Sequence, residues 1–197
     1  ELQKAGLTSE TRQRLLRSLH QSWQAELEQL RWARFQQLQG RTQWIVAGSV
    51  FASPLASVDL VAVAVANGLM IREMATIWGS TAKVELLQEA AGQLARVALA
   101  QGVVEWTGQT LLGLAKLDGG SWLMAGSMQA LSAAYLTRVV GRSMADWLAL
   151  SAGVSEPDLA ELRQRAPLLV AKAAEEERLN WNPFLQDSRR WLLQAPS

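Results

Sequence analysis

Ala52-Ser-Pro-Leu-Ala-Ser-Val-Asp-Leu-Val-Ala-Val-Ala-Val-Ala-Asn-Gly-Leu-Met-Ile-Arg-Glu-Met-Ala-Thr-Ile-Trp-Gly79 is the stretch that decides the fold. Ser53 and Pro54 suit a helix start, as cap and first-turn residue. Asp59 sits inside an otherwise apolar run, and Arg72 and Glu73 enter only as the run ends. A carboxylate in such a run is either satisfied by a partner or serves a purpose. The alternation Val61-Ala-Val-Ala-Val-Ala66 fits a strand on period alone. Alanine is a poor strand former and both flanks read as helix, so the run is assigned to a helix.

Outward from this stretch, nearly everything reads as helix. Towards the N-terminus, Leu16, Leu19, Trp23, Leu27 and Leu30 recur at helical spacing, which predicts one helix from Thr8 or Ser9 to about Gln39. Arg12, Arg14, Arg17, Arg31, Arg34 and Arg41 decorate its remaining surface. The stripe suits a helix packed on its own bundle. It also suits an arm that packs on another domain or lies on an anionic membrane. Residues 42–58 and 60–71 carry no charge. With the break at Pro54 neither run reaches the ~20 apolar residues of a membrane span, so they read as a buried pair or a hairpin entering a bilayer partway.

Towards the C-terminus, Ala91, Ala95, Ala98 and Gly102 form a small-residue stripe in a helical region from about Ser80 to Leu117. Asp118-Gly-Gly-Ser121 stops one helix and starts the next, expected over Ser121–Leu150. Residues 119–137 are uncharged, which fits a buried core helix or a membrane-inserted one. Ser155 is expected to cap a helix with Pro157 and Asp158 in its first turn. Pro167 is expected to break or kink it, with a second piece reaching about Leu179. Glu175-Glu-Glu177 reads as a solvated face, and Asn182-Pro183 opens a last short helix.

Of 197 residues 49% are hydrophobic and 19% charged, with nine Trp and no Cys. The absence of cysteine excludes disulfides and thiolate chemistry. A net charge of +1 argues against a general nucleic-acid binder. His20 is the sole histidine, so a zinc site of ordinary ligand type is effectively ruled out. No phosphate-binding loop and no nucleophile elbow is present. Glu85 and Glu89 share a helix face, as solvated acids usually do. Glu105 and Asp146 lie in apolar surroundings and suit a structural ion network with Arg96, Arg138 or Arg142. No catalytic residue, cofactor or metal ligand is assigned within this chain.

Ser53-Pro-Leu-Ala-Ser-Val-Asp59, the Val/Ala run and Leu69-Met-Ile-Arg-Glu-Met-Ala-Thr-Ile-Trp-Gly79 resemble the opening of a bacterial family, the YcjF-type domain of unknown function 697. Gly92 to Gly141 is similar to its small-residue-rich helical region and glycine-containing turn, so the resemblance covers roughly residues 43–150. Trp78 stands where the family often has Tyr before the Gly. The resemblance implies structural roles for Pro54, Asp59 and Gly79 and carries over no catalytic residue. It also implies a GTP-binding domain of the Era-like class preceding Glu1, with GTP and Mg bound there.

The expected fold is an all-α multi-helix bundle with a long N-terminal helix and short C-terminal helices. Its parts are a basic helical arm over 1–42, an apolar helical core over 43–150 and a C-terminal helical segment over 151–197. The expected function is non-catalytic membrane association or self-association. The alternative is a soluble helical scaffold for protein partners. Arg12, Arg17, Arg31, Arg34, Trp44 and Phe51 are the candidate membrane or partner surface. The expected partners are a membrane, the GTPase domain or a second copy, and no nucleic acid. The expected place is the cytoplasmic side of a membrane, peripheral or partly inserted, or else the cytoplasm.

Overall fold

The computed structural model describes residues 9–52, 56–105, 121–153 and 157–180, and among these the side chains of all but 52, 56–62, 121–128 and 179. The described residues form five long helices and no strand: α1 Ser9–Ala52, α2 Ala56–Trp78, α3 Val84–Ala100, α4 Ser121–Leu150 and α5 Leu159–Leu179. The all-α bundle with a long first helix is therefore the observed fold. Pro54 and residues 181–197, with the expected last short helix, lie outside the described residues.

The chain divides into two compact units, residues 1–37 and 38–197. In the first, the described residues are a single helical segment of α1. Arg31 Nη1 pairs with Glu28 one turn away at 2.5 Å, and Trp32 meets Phe35 edge-on with ring centroids 5.5 Å apart.

In the second unit α4 is central, packing on α2, α3 and α5; α3 also packs on α5 and on α2. Residues 143–148 of α4 are all buried, as a helix covered on every side requires. By contrast α3 buries only Leu87, Ala90, Ala91, Leu94 and Ala98, one face at helical spacing. Met70 and Met74 of α2, Leu94, Val139, Met144 and Leu162 fill the space between these helices.

Gly79 and Gly141 hold positions that a larger residue fits poorly. Gly79 has φ +65° and ends α2; its N–H donates to Thr76 O, and Ser80 N–H donates to Ala75 O at 2.8 Å. Paired bonds of this kind with a left-handed residue are a Schellman cap, which glycine adopts without steric cost. At Gly141 a Cβ would lie 3.0 Å from Met70 Cε and 3.9 Å from Gln39 Nε2, so α4 approaches α2 and α1 closely there.

Four boundaries differ from those read in the sequence. Helix α1 does not stop near Gln39 but continues through Gly40 to Ala52. Leu38, Val46, Ala47 and Val50 are buried, and their packing outweighs the modest helix cost of Gly40 and Gly48. Gly102 does not extend the small-residue stripe of α3: it follows the cap residue Gln101, where the helix has ended. Asp158, not Ser155, caps α5, its carboxylate accepting from Ala160 N–H at 2.7 Å. Helix α5 also runs unbroken through Pro167. Leu162, Ala166, Leu169 and Val170 are buried around the proline, so packing on α3 and α4 holds the helix despite one lost backbone bond.

Candidate functional site

Three features of the surface and interior qualify as places of function. The first is the arm. Leu16, Leu19, Trp23 and Leu30 are 56–66% exposed, and Leu15 is 43% exposed. Leu27 of the same stripe is half-buried, and Arg12, Arg17 and Arg34 are exposed while Arg31 is half-buried against Glu28. An apolar stripe with arginines along it has the chemistry of a docking face for an anionic or apolar partner. His20 is exposed beside Trp23, ring centroids 6.5 Å apart.

The second is a polar seam inside the second unit. Arg138 of α4 donates from Nε to Glu177 Oε2 and from Nη1 to Gln43 Oε1, both at 2.5 Å, while its carbonyl accepts from Gln39 Nε2 at 2.9 Å. Gln39, Gln43 and Glu177 are buried, so this one arginine joins α1, α4 and α5 in the interior. One turn along, Arg142 pairs with Glu176 at 2.8 Å and Asp146 at 3.7 Å, and Lys172 pairs with Asp146 at 3.2 Å. Tyr135 donates its hydroxyl to Ala174 O at 2.9 Å. Burial and the nearby Glu177 carboxylate push the Tyr135 phenol up to about 12.

The seam's carboxylates are each engaged by a cation, and these ion pairs link α4 to α5. Asp146 does pair with Arg142, as the sequence suggested, and Lys172 is a partner that sequence reasoning missed. Arg96 lies elsewhere and donates to Gln93 on its own helix. The solvated reading of Glu175-Glu-Glu177 fails at its last residue, since Glu177 is 2% exposed. Successive helical residues point about 100° apart, so three glutamates in a row cannot share one face. Glu89 is exposed and reaches Arg163 of α5 at 3.1 Å.

The third is a pocket of about 250 Å³ where α2 and α4 end, lined by Trp78, Gly79, Ser80, Thr81, Leu148 and the turn 151–153. No ionisable side chain lines it, so it offers no group for acid–base work. Among the described residues no cluster of three or more His, Asp or Glu is placed to hold a metal ion. Among them, too, no helix is long and apolar enough to cross a membrane.

The residues singled out in the sequence do not gather at one point. Gly79 caps α2 and lines the pocket. Trp44 is 38% exposed and Phe51 is half-buried, both on the part of α1 in the second unit. Arg12, Arg17, Arg31 and Arg34 lie on the arm. The side chain of Asp59 lies outside the described side chains.

A family model described as "Domain of unknown function (DUF697)" matches residues 14–174. The chain belongs to the DUF697 family. The DUF697 match takes in the arm's stripe from Leu16 onward, all of α2 to α4 and the polar seam through Asp146 and Lys172. Only Glu176 and Glu177 of that seam fall beyond it. No curated protein and no solved structure matched the chain.

Proposed function

We propose that this DUF697 chain is a non-catalytic attachment module that holds a GTP-binding domain to the cytoplasmic surface of a membrane through its N-terminal arm. The observation that carries this reading is the exposed stripe Leu16, Leu19, Trp23 and Leu30, lying among Arg12, Arg17, Arg31 and Arg34. Large apolar side chains left in water are costly, and a contiguous set of them marks a contact surface. Arginines beside the stripe suit anionic headgroups, each worth about 1 kcal/mol near a charged bilayer. The bundle, clamped by Arg138, then serves as a separate body. The GTP-binding domain, with its GTP and Mg, rests on the family resemblance alone.

Flotation with anionic and neutral vesicles at low and high salt tests this reading. Binding to anionic vesicles that weakens with salt is expected, because surface charge is screened within about 10 Å at 0.1 M salt. A chain that ignores both vesicle types contradicts it. A nucleotide-hydrolysis assay on this chain is expected to be blank, and turnover above background overturns the non-catalytic assignment.

One observation favours self-association as a second reading. The spacing Leu16, Leu19, Trp23, Leu27, Leu30 is the same in both directions about Trp23. An antiparallel second copy would therefore set Leu16 against Leu30 and Leu19 against Leu27. The four exposed residues of this stripe and the half-buried Leu27 offer roughly 500–600 Å² per copy, near the lower end for a specific dimer. Sedimentation equilibrium without lipid separates the readings, since only self-association gives a dimer there.

A further inference from the structure

The second unit carries its own exposed apolar ridge, apart from the arm. Trp44 and Ile45 of α1 are 38% and 52% exposed, and Val65 and Leu69 of α2 are each 57% exposed. The two helices are joined by residues 53–55, and Arg41 Nη2 pairs with Glu73 Oε1 across them at 2.7 Å. Ile45 lies one helical turn from Arg41 towards the connection, and Leu69 one turn from Glu73 in the same sense. Residues four apart share a helix face, so the ridge continues the side on which that ion pair lies. Between Arg41 and Arg72 the only ionisable side chain in the sequence is that of Asp59. Apart from Asp59, the charges of this hairpin collect at one end, Arg41, Arg72 and Glu73, and that end is net positive.

The geometry points to this ridge as a second membrane contact, seated on an anionic lipid surface, with Trp44, Ile45, Val65 and Leu69 at the acyl boundary and Arg41 and Arg72 among the headgroups. This rests on the membrane reading proposed above. A protein-binding patch is ringed by polar groups on all sides. Among the described side chains of this ridge the charge lies at one end only, which is the arrangement of a surface that meets a layered solvent. The surplus of arginine there complements anionic headgroups. Trp44, with an apolar body and a polar N–H, suits the headgroup level. A carboxylate is costly in hydrocarbon, so Asp59 near the start of α2 limits the contact to the outer, interfacial part of the leaflet.

The chain has no cysteine, so a single one can carry an environment-sensitive dye without background. The dye is attached to the full chain through Leu69→Cys, through Leu19→Cys on the arm, or through Gln164→Cys on the exposed side of α5. Each labelled chain is mixed with phosphatidylserine–phosphatidylcholine vesicles. The expected result is a blue-shifted emission at position 69, with several-fold protection from aqueous iodide, and no change at position 164. A response at 19 with none at 69 overturns the ridge and leaves the arm reading intact. No response at 19 or 69 overturns both. Equal responses at 69 and 164 mean non-specific adsorption and overturn the ridge. A shift at 69 that follows protein concentration without vesicles assigns the ridge to a second copy and also overturns the proposal.

Discussion

Arg138 and Glu177, 39 residues apart in sequence, face each other with side chains only 13% and 3% exposed, and Nη2 of the arginine lies 2.5 Å from Oε2 of the glutamate. The same guanidinium holds Gln43, and Gln39 caps the Arg138 carbonyl. Breaking a buried pair by removing one partner leaves a charge with nothing to offset its desolvation, at a cost of about 3–5 kcal/mol. Glu177→Ala is therefore expected to lower Tm by on the order of 10 °C for a chain of this size. Replacing both partners, as Arg138→Met with Glu177→Leu, is expected to recover most of that loss. Thermal melts of the two variants check it; a Glu177→Ala variant as stable as the parent would deny the pair a structural role.

Tyr135 is the sole tyrosine of the chain, so tyrosinate absorbance reports it alone. Its phenol is expected to titrate near 12 in the folded protein, against 10.0 for the free group. The folded state keeps this proton after the unfolded state has released it. Its contribution to stability is thus fully present below pH 10 and is lost as pH rises towards 12. Alkaline spectrophotometric titration should show a late tyrosinate step, and a step at pH 10 in folded protein would contradict the burial.

Gly141 separates two effects of size. Alanine gains helix propensity, and its Cβ meets only the flexible end of Met70 at 3.0 Å, so Gly141→Ala is expected to change stability by less than about 1 kcal/mol. Gly141→Leu overpacks the α2–α4 contact and is expected to cost about 1–3 kcal/mol or more. Denaturant midpoints of both variants check this, and a tolerated leucine would mean the helices are not in close contact.

Gly79→Ala forces an alanine to φ +65° at the end of α2. The expected loss is about 1–2 kcal/mol, with the helix end frayed rather than the bundle unfolded. Hydrogen exchange at the Gly79 and Ser80 amides, which donate to Thr76 O and Ala75 O, should speed up first. Unchanged exchange at both would show that the cap contributes little.

Much of the architecture was legible in residue patterns. The sequence Asp118-Gly-Gly-Ser121 marks where α4 begins, and its end at Leu150 follows from the Ser-Ala-Gly that comes after. The family was legible in residues 52–79, where an apolar helix, a lone acid and a Trp-Gly ending occur together. Pro167 misled because a single residue's backbone preference was set against contacts that only the fold supplies. Glu177 misled for the same reason, since its partner on α4 is distant in sequence and local pattern favours a solvated run. The arm's stripe was visible from spacing alone. Whether water or protein covers it depends on the rest of the chain, and only the structure reports Leu19 and Trp23 as exposed.

Flotation of the parent chain beside a Leu19→Ser, Trp23→Ser double variant tests the central claim most directly. Both side chains are more than half exposed, so the variant should fold and melt like the parent. The parent is expected to float with anionic vesicles and the variant to float several-fold less, with an unchanged Tm. Equal flotation of the two, or no flotation of the parent, would contradict the arm as the point of attachment.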